Sequence, residues 1–324
     1  MSQIFTGLTI KDVQNTYRKI RPYILKTPLI RSYYLENVVK KEVYLKLEYL
    51  QPTRSFKVRG ALSKALSLNS QVLKKGLVTA SGGNHGLGVC YAGKELEAPT
   101  TVFLPEGTNQ ETKKAIENWG AEVFLYGKAW DEANIAGQKY AKEKEKAYVH
   151  AFDDIAVVRG QGTIALEMLE QNPFLDAIIV SVGGGGLISG VGMVAHQMKP
   201  EIRIYGIETV GADAVTQSFH QEKLVELPAI TSIAKTLGAK KTTQATLDRI
   251  KAVVNDMQTV TDQEALDSLR IMLNHEKILL EPASSCSVAA LLLNKFDLKD
   301  MDRIGIILCG ANITLNELKQ WKVV

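Results

Sequence analysis

The chain alternates short apolar runs with helical patterns along most of its length. In residues 11–25, apolar side chains from Val13 to Ile24 recur at helical spacing, which predicts an amphipathic helix. Residues 43–48 alternate apolar and polar side chains, which predicts a strand. Further β-rich runs follow, separated mostly by helical stretches: 100–104, 121–126, 177–182, 203–207 and 304–309.

This order of elements predicts an α/β fold. Near-continuous apolar strands that alternate with helices are typical of parallel sheets covered on both faces. We therefore expect two lobes, each a mostly parallel twisted sheet flanked by helices, which face each other across a cleft. Residues 1–70 together with 151–324 are predicted to form the larger lobe, and residues 76–150 the smaller one.

Composition excludes several classes of protein. The 324 residues are 45% hydrophobic and carry a net charge of +4 without a basic run, so no pattern indicates nucleic acid or a membrane surface. No apolar run approaches the roughly 20 residues that span a bilayer. Cys90, Cys286 and Cys309 lie far apart and form no CxxC pair, which argues against disulfides and zinc and predicts a cytoplasmic protein.

Four consecutive glycines, Gly183 to Gly186, follow an apolar strand and precede a helical pattern. Glycine lets the backbone approach a ligand closely, and the amides at a helix N-terminus favour an anion. We interpret this run as a phosphate site rather than an ordinary connection. A dinucleotide site is the rival interpretation, because Glu208 ends the next strand; however, Ser189 stands where the third glycine of GxGxxG would be needed.

A second glycine-rich segment, residues 80–88, also follows a short apolar run. Ser81, Asn84 and His85 bring hydroxyl, amide and backbone donors around one point, where a carboxylate could be held at a helix N-terminus. The alternative is a helix-capping serine with glycines in the turn. A phosphate site elsewhere in the chain favours the binding interpretation, since one ligand with both groups would then bridge the cleft.

Lys57 directly follows Phe56, where turn residues give way to a helical pattern. Most lysines are solvated, but one that attacks a carbonyl must be partly deprotonated, and a desolvated, aromatic-flanked cleft lowers its pKa. Beside two anion sites, a covalent role for Lys57 becomes the favoured interpretation. Cys309 ends an apolar strand, and by itself it favours a buried thiol that packs as a small hydrophobic side chain.

Four motifs stand in order along the chain: SFKVRGA (55–61), SGGNHG (81–86), VGGGGLISG (182–190) and CGANI (309–313). Together they resemble the pyridoxal-phosphate (PLP) enzymes of the tryptophan-synthase β-subunit fold. Segments 230–239 and 279–285 are similar to those of serine/threonine dehydratases, closest to the serine dehydratase branch. The resemblance covers nearly the whole chain and implies that PLP lies in the cleft, with the larger lobe as the cofactor-binding domain.

The resemblance also implies roles for the matched residues. Lys57 would hold PLP through an imine, and its freed amine would remove the substrate Cα proton. Phe56 would pack on the pyridine ring, Asn84 would bond its hydroxyl, and Cys309 would face its nitrogen. The phosphate would be held by backbone amides of Gly183, Gly184, Gly185, Gly186 and Leu187.

The substrate carboxylate would bind at the second glycine-rich segment. Ser81 would contribute its hydroxyl, together with Gly82, Asn84 and His85. Glu281 would lie in a second layer, behind the residues that contact the ligand. The substrate implied is a small β-hydroxy amino acid, L-serine or L-threonine, which loses its hydroxyl to give a 2-oxo acid and ammonia.

The sequence also departs from its resembled relatives. Gly82 stands where racemases of the group carry a serine, so we expect little racemisation. Glu208 matches the first carboxylate of a divalent-metal site, but Ala214 replaces the second; a single carboxylate suits a monovalent ion such as K⁺, or no ion. The chain ends soon after residue 313, which leads us to expect no effector domain and a catabolic role.

Several alternatives stay open at this point. The same fold could serve a β-replacement synthase, a dehydratase for 3-hydroxyaspartate or phenylserine, or a serine racemase-like enzyme. An NAD-dependent oxidoreductase would use the glycine run with Glu208. The resemblance further implies a homodimer whose ligand is a small amino acid.

Overall fold

The computed structural model describes residues 6–324, in which strands and helices alternate as expected. The strands are β1 (Leu29–Arg31), β2 (Glu42–Lys46), β3 (Leu77–Ala80), β4 (Thr100–Leu104), β5 (Glu122–Leu125), β6 (Ala147–Tyr148), β7 (Ala177–Ser181), β8 (Arg203–Thr209), β9 (Asp256–Val260) and β10 (Arg303–Ile307). The first helices are α1 (Ile10–Ile20), α2 (Tyr33–Val39), α3 (Lys57–Ala65), α4 (Ser70–Lys75), α5 (Asn84–Glu95), α6 (Gln110–Glu117) and α7 (Trp130–Glu143).

The remaining helices are α8 (Ile155–Gln171), α9 (Gly186–Met198), α10 (Ala214–Gln221), α11 (Gln244–Val253), α12 (Asp262–Ile271), α13 (Pro282–Leu292) and α14 (Leu315–Gln320). Short 3₁₀ turns lie at Arg21–Tyr23, Glu48–Leu50 and Lys235–Leu237, and a π-helical turn spans Met272–Glu276. None of these described helices combines the length and the apolar character that a bilayer crossing needs.

The larger sheet contains six strands in the order β1-β2-β10-β7-β8-β9. All neighbours pair in parallel except β1, which runs antiparallel to β2 at the edge. Side chains of β7 alternate between two hydrophobic cores: Ile178 and Val180 pack on one face, and Ile179 packs on the other. Burial on both faces explains why this strand reads as a continuous apolar run.

The smaller sheet contains four parallel strands in the order β5-β4-β3-β6. Its strands all lie between residues 77 and 148, whereas the strands of the larger sheet lie on either side of that segment. The mostly parallel α/β fold is therefore confirmed. The boundaries of the two domains, 1–70 with 151–324 and 76–150, remain a prediction.

Element bounds differ from the sequence prediction where backbone chemistry intervenes. The helix predicted over 11–25 ends at Ile20, because Pro22 follows in a 3₁₀ turn. Proline lacks an N–H donor and its ring clashes with the preceding turn, so it cannot continue an α-helix. Strands β1, β6 and β9 were not predicted; β6 has two residues, and β9 reads DMQTV, in which polar residues interrupt the apolar pattern.

Candidate active site

Lys57 is the first residue of α3 and lies beside Cys309. The chain before α3 pairs with the chain after β10: Ser55 and Gly310 form an isolated bridge, and the Phe56 amide donates to the Cys309 carbonyl at 3.1 Å. This pairing brings residues from the two ends of the sequence to one cleft. The Lys57 Nζ donates to the Ala151 carbonyl at 3.1 Å.

The surroundings of Lys57 favour its neutral amine. Loss of hydration lowers its pKa from 10.5 to about 8, against a smaller opposing effect of Cys309 and Glu281. The Nζ lies 5.1 Å from the centre of the Phe56 ring, a contact that by itself favours the charged amine and is outweighed by the loss of hydration. A usable fraction of Lys57 is therefore deprotonated near neutral pH, as nucleophilic attack on a carbonyl requires.

The glycine loop between β7 and α9 forms a cradle of backbone amides. Among the described residues, the amides of Gly183, Gly184 and Gly185 donate to no protein acceptor, and Gly185 has a left-handed φ of +96°. Successive free amides in such a conformation form a concave anion site at a helix N-terminus.

The cradle also requires glycine for packing. A Cβ built at Gly184 would lie 2.1 Å from Phe152 Cδ1, and one at Gly186 would lie 2.8 Å from the Phe152 Cα. A Cβ at Gly183 would lie 3.1 Å from the Leu237 backbone. Protein atoms thus pack closely against these glycines, and a larger side chain at any of them would be crowded.

The second glycine-rich segment leads into α5, whose N-cap is Gly83 without a side-chain cap, so Ser81 does not cap the helix as the alternative interpretation required. The Ser81 Oγ accepts from the Gly83 amide at 3.3 Å, and α5 begins at Asn84. Ser81 is partly exposed, whereas Asn84 and His85 are buried. The hydroxyl and the first amides of α5 together form a positive helix end suited to a carboxylate.

A cleft of about 440 Å³, including its open mouth, joins these groups. Its lining brings Lys57, the glycine cradle and Asn84 together: Phe56, Lys57, Asn84, Phe152, Ser181, Gly183, Gly184, Gly185, Gly186, Leu187, Thr236, Leu237, Glu281, Ala283 and Cys309. An amine that can form an imine thus shares one cleft with a phosphate-sized amide cradle.

The sequence profile of the family described as "Pyridoxal-phosphate dependent enzyme" matches residues 20–310. The chain belongs to this family. The site fits the cofactor, since the amide cradle suits its phosphate and the Lys57 amine suits its aldehyde. Membership in a PLP family decides against the NAD-dependent oxidoreductase that the glycine run also allowed.

The chain is similar to three proteins of known name. It is 34% identical to the L-threonine ammonia-lyase of Thermotoga maritima over 95% of this chain and 77% of that protein. It is also 34% identical to a catabolic L-threonine dehydratase of Staphylococcus aureus, over 96% of this chain and 91% of that protein. Maize serine racemase superposes with a TM-score of 0.92 at 30% identity, over 98% of this chain and 97% of that one.

Asn84 is oriented by partners on both sides of its amide. Its Oδ1 accepts from Asn312 Nδ2 at 2.6 Å, and its Nδ2 donates to Glu281 Oε1 at 2.7 Å. One N–H of Asn84 remains for a ligand oxygen, because the amide nitrogen carries two. The second Glu281 oxygen has no partner among the described residues, and burial raises the pKa of this carboxyl to about 7.

His85 is buried and neutral. Its Nε2 lies 3.0 Å from the Val149 carbonyl, so this nitrogen carries the proton. Burial, with Lys57 nearby, lowers the pKa of His85 to about 3. The predicted contact of His85 with substrate remains a prediction, and the structure gives its ring a protein partner.

Cys309 is a buried neutral thiol. Burial raises its pKa well above the ordinary value, and its Sγ lies 3.7 Å from the Ala283 carbonyl. A neutral thiol offers no negative charge to a pyridine nitrogen. This environment suits the expected position of Cys309 opposite the ring.

A side chain at Gly82 would be crowded by Thr112. A Cβ built there would lie 2.8 Å from Thr112 Cγ2 and 3.4 Å from Leu104 Cδ2. A serine at this position would therefore require Thr112 to shift. The packing agrees with the expectation that this chain carries no hydroxyl acid at position 82.

Glu208 lies in a different environment from the cleft residues. It is fully buried, its Oε2 accepts from the Thr216 amide in the first turn of α10 at 2.6 Å, and burial raises its pKa to about 8. Within residues 6–324, no group of three or more His, Cys, Asp or Glu side chains is arranged to hold a metal ion. The predicted cation at Glu208 remains a prediction.

A buried ionic cluster anchors α3 behind Lys57. Arg59 donates to Glu48 at 2.7 and 2.8 Å and to Glu167 at 2.8 and 2.9 Å, and Lys46 donates to Glu167 at 2.6 Å. All four side chains are fully buried. The cluster ties the first turn of α3 to β2 and α8.

Sequence reasoning missed several residues of this site. Phe152 lines the cleft from a segment without a recognisable motif, Thr236 and Leu237 line it from the segment 230–239, to which no residue role was assigned, and Asn312 fixes the Asn84 amide. Asn312 follows Cys309 within CGANI, so its polar side chain beside a glycine turn was the available signal. No local signal marked Phe152, which is recognisable only by its contact with the glycine loop.

Proposed function

We propose that this PLP enzyme is an L-threonine/L-serine dehydratase (ammonia-lyase) that forms a 2-oxo acid and ammonia. The observation that carries the proposal is the Lys57 amine, with its pKa of about 8, in one cleft with the glycine cradle and the N-terminus of α5. Relatives named as threonine ammonia-lyase and threonine dehydratase support the choice of reaction.

The residues divide into two sets. When the cofactor is bound, Lys57 would hold its aldehyde, Phe56 would pack against its ring, Asn84 would bond its hydroxyl, and Cys309 would face its nitrogen. The amides of residues 183–187 would hold its phosphate. The bound cofactor supplies an electron sink for charge that develops at the substrate Cα.

The substrate set orients the amino acid for proton removal. Ser81, with the amides of Gly82, Asn84 and His85 at and just before the start of α5, would bind the carboxylate. Lys57 Nζ, once free, takes the Cα proton; its lowered pKa keeps the amine neutral often enough to act as a general base. The hydroxyl would depart as water with the proton that the Lys57 ammonium returns, and later addition of water to the released product would free ammonia.

Two features favour elimination over racemisation. The neutral Cys309 thiol would stabilise positive charge on the ring nitrogen only weakly. Negative charge at the substrate Cα would therefore not persist, which favours loss of the β-hydroxyl over return of a proton to Cα. The glycine at position 82 offers no acid to return a proton from the opposite face. We therefore infer that serine racemisation is minor, although maize serine racemase shares the fold.

The test is release of 2-oxo acid from a panel of β-hydroxy amino acids: L-serine, L-threonine, 3-hydroxyaspartate and phenylserine. We expect turnover with L-threonine and L-serine and little with the others. The assay is repeated with added K⁺ or Mg²⁺, which tests the cation proposed at Glu208. PLP-loaded protein that releases no 2-oxo acid from L-threonine or L-serine would refute the proposal.

We further propose a cytoplasmic homodimer that acts in amino-acid catabolism. Cys90, Cys286 and Cys309 are buried free thiols, which suit a reducing compartment. The dimer is supported only by the resemblance to other members of the group. Sedimentation velocity of the purified holoenzyme measures the oligomeric state directly.

A further inference from the structure

We propose that the Thr242 hydroxyl positions the phosphate-binding peptide between Gly184 and Gly185. Thr242 is only 2% exposed, and its Oγ1 donates to the Gly184 carbonyl at 2.9 Å. Thr242 lies just before α11 and is distant in sequence from the loop. This inference rests on the proposed phosphate role of residues 183–187.

The bond controls the direction of one amide. In a trans peptide the C=O and the N–H point to opposite sides. Holding the Gly184 carbonyl towards Thr242 therefore turns the Gly185 N–H to the other side of the loop. The Gly185 amide has no protein acceptor, so this orientation leaves it available for an anion.

Other contacts confine the loop without fixing this rotation. Phe152 lies against Gly184 and Gly186, and the Thr246 methyl would lie 2.8 Å from a Cβ at Gly185. These are van der Waals contacts, which restrict the position of the loop more than they restrict the rotation of its peptide planes. Among the described residues, Thr242 makes the only side-chain hydrogen bond to the backbone of residues 183–187.

Thr242 is accordingly a positioning residue that acts through the peptide and does not touch substrate. Its loss should weaken binding of the phosphate group selectively. Thr242→Val removes the hydroxyl at nearly constant volume, and Thr242→Ser keeps it. The matched control is Thr79→Val, because Thr79 is also buried and its hydroxyl donates to a carbonyl, that of Val149, at 3.0 Å.

The experiment compares cofactor binding by the apoproteins of these variants and the wild type. Each is titrated by absorbance with PLP and with pyridoxal, which lacks the phosphate. A second measurement is the rise in thermal midpoint caused by inorganic phosphate alone. One net hydrogen bond is worth about 0.5–1.5 kcal/mol, so Thr242→Val should raise the Kd for PLP about two- to tenfold.

Comparing PLP with pyridoxal distinguishes a selective loss of phosphate binding from a general loss of stability. We expect Thr242→Val to leave the Kd for pyridoxal nearly unchanged and to reduce the rise in thermal midpoint that inorganic phosphate causes. Thr242→Ser should keep the wild-type Kd for PLP and the wild-type rise in thermal midpoint. Equal losses for PLP and pyridoxal, or a PLP Kd equal to that of Thr79→Val, would overturn the inference. If Thr242→Val does not fold, Thr242→Ala replaces it in the same comparison with Thr242→Ser.

The wild-type titration tests the earlier proposal separately. Wild-type apoprotein that binds neither PLP nor pyridoxal would refute the cofactor site itself. Wild-type protein that binds PLP tightly, with Thr242→Val behaving identically, would refute only the role of Thr242.

Discussion

Replacing Arg59 with methionine would leave two buried carboxylates facing a single lysine. Arg59 makes paired hydrogen bonds to both Glu48 and Glu167, and Lys46 supplies the remaining positive charge. The four charges cancel in the native cluster, so Arg59→Met leaves one net negative charge with no solvent exposure.

Breaking such a pair costs about 3–5 kcal/mol, because the surviving charge stays buried without compensation. For a chain of 324 residues we expect the thermal midpoint of the apoprotein to fall by about 4–7 °C. Since Arg59 is in the same turn of α3 as Lys57, the amount of cofactor bound at a fixed PLP concentration should also decrease.

Arg31 provides a matched control at the surface. It makes the same two-pronged contact, with Glu36 at 2.7 and 2.8 Å, but its side chain is 35% exposed. Solvated ion pairs contribute little, so Arg31→Met should leave the thermal midpoint close to that of the wild type. Equal losses for Arg31→Met and Arg59→Met would refute the burial argument.

A second substitution tests the charge explanation directly. Glu167→Gln added to Arg59→Met restores neutrality, because Lys46 then faces Glu48 alone. The double variant should be more stable than Arg59→Met by differential scanning fluorimetry. A double variant less stable than Arg59→Met would show that lost packing dominates over charge.

Three further predictions concern the cleft. Lys57→Ala should abolish turnover. It should also abolish the covalent attachment of PLP that borohydride reduction makes permanent, as measured by mass spectrometry. PLP attached at another lysine would contradict the assignment of Lys57. Since the pKa of Lys57 falls from 10.5 to about 8 on folding, PLP attachment to apoprotein should accelerate up to about pH 8 and then level off. Between about pH 8 and pH 10.5, Lys57 binds more protons in the unfolded chain than in the folded one. The free energy of unfolding of the apoprotein should therefore rise with pH across this range, and Lys57→Met should remove this dependence. Gly82→Ser should lower the thermal midpoint by crowding Thr112, and Thr112→Ser should restore it; chiral chromatography should detect more D-serine from the double variant than from wild type.

The fold was largely predictable because its central strands are buried on both faces. Strand β7 reads AIIVS and is wholly buried, so composition alone marks it. Strand β9 escaped prediction because it pairs with β8 through backbone bonds while exposing polar side chains such as Gln258. Its strand conformation comes from pairing across the chain, which no local window contains.

The site was predictable only where its chemistry is local in sequence. Lys57 and Gly183–Gly186 stand in short motifs whose residue types indicate their roles. Thr242 and Asn312 act on partners far away in the chain, and threonine or asparagine in a loop has many ordinary functions. Thr242 is connected with the glycine loop only through folding, whereas Asn312 stood in the CGANI motif and lacked only the partner, Asn84, that folding supplies.

The close cover of Phe152 over Gly184 and Gly186 limits how this cleft could be redesigned. Side chains cannot be added at either position without moving the aromatic ring or the backbone, so a mutant library there would consist mostly of damaged proteins. Engineering the enzyme towards an altered cofactor would therefore have to begin with Phe152, which packs against the loop.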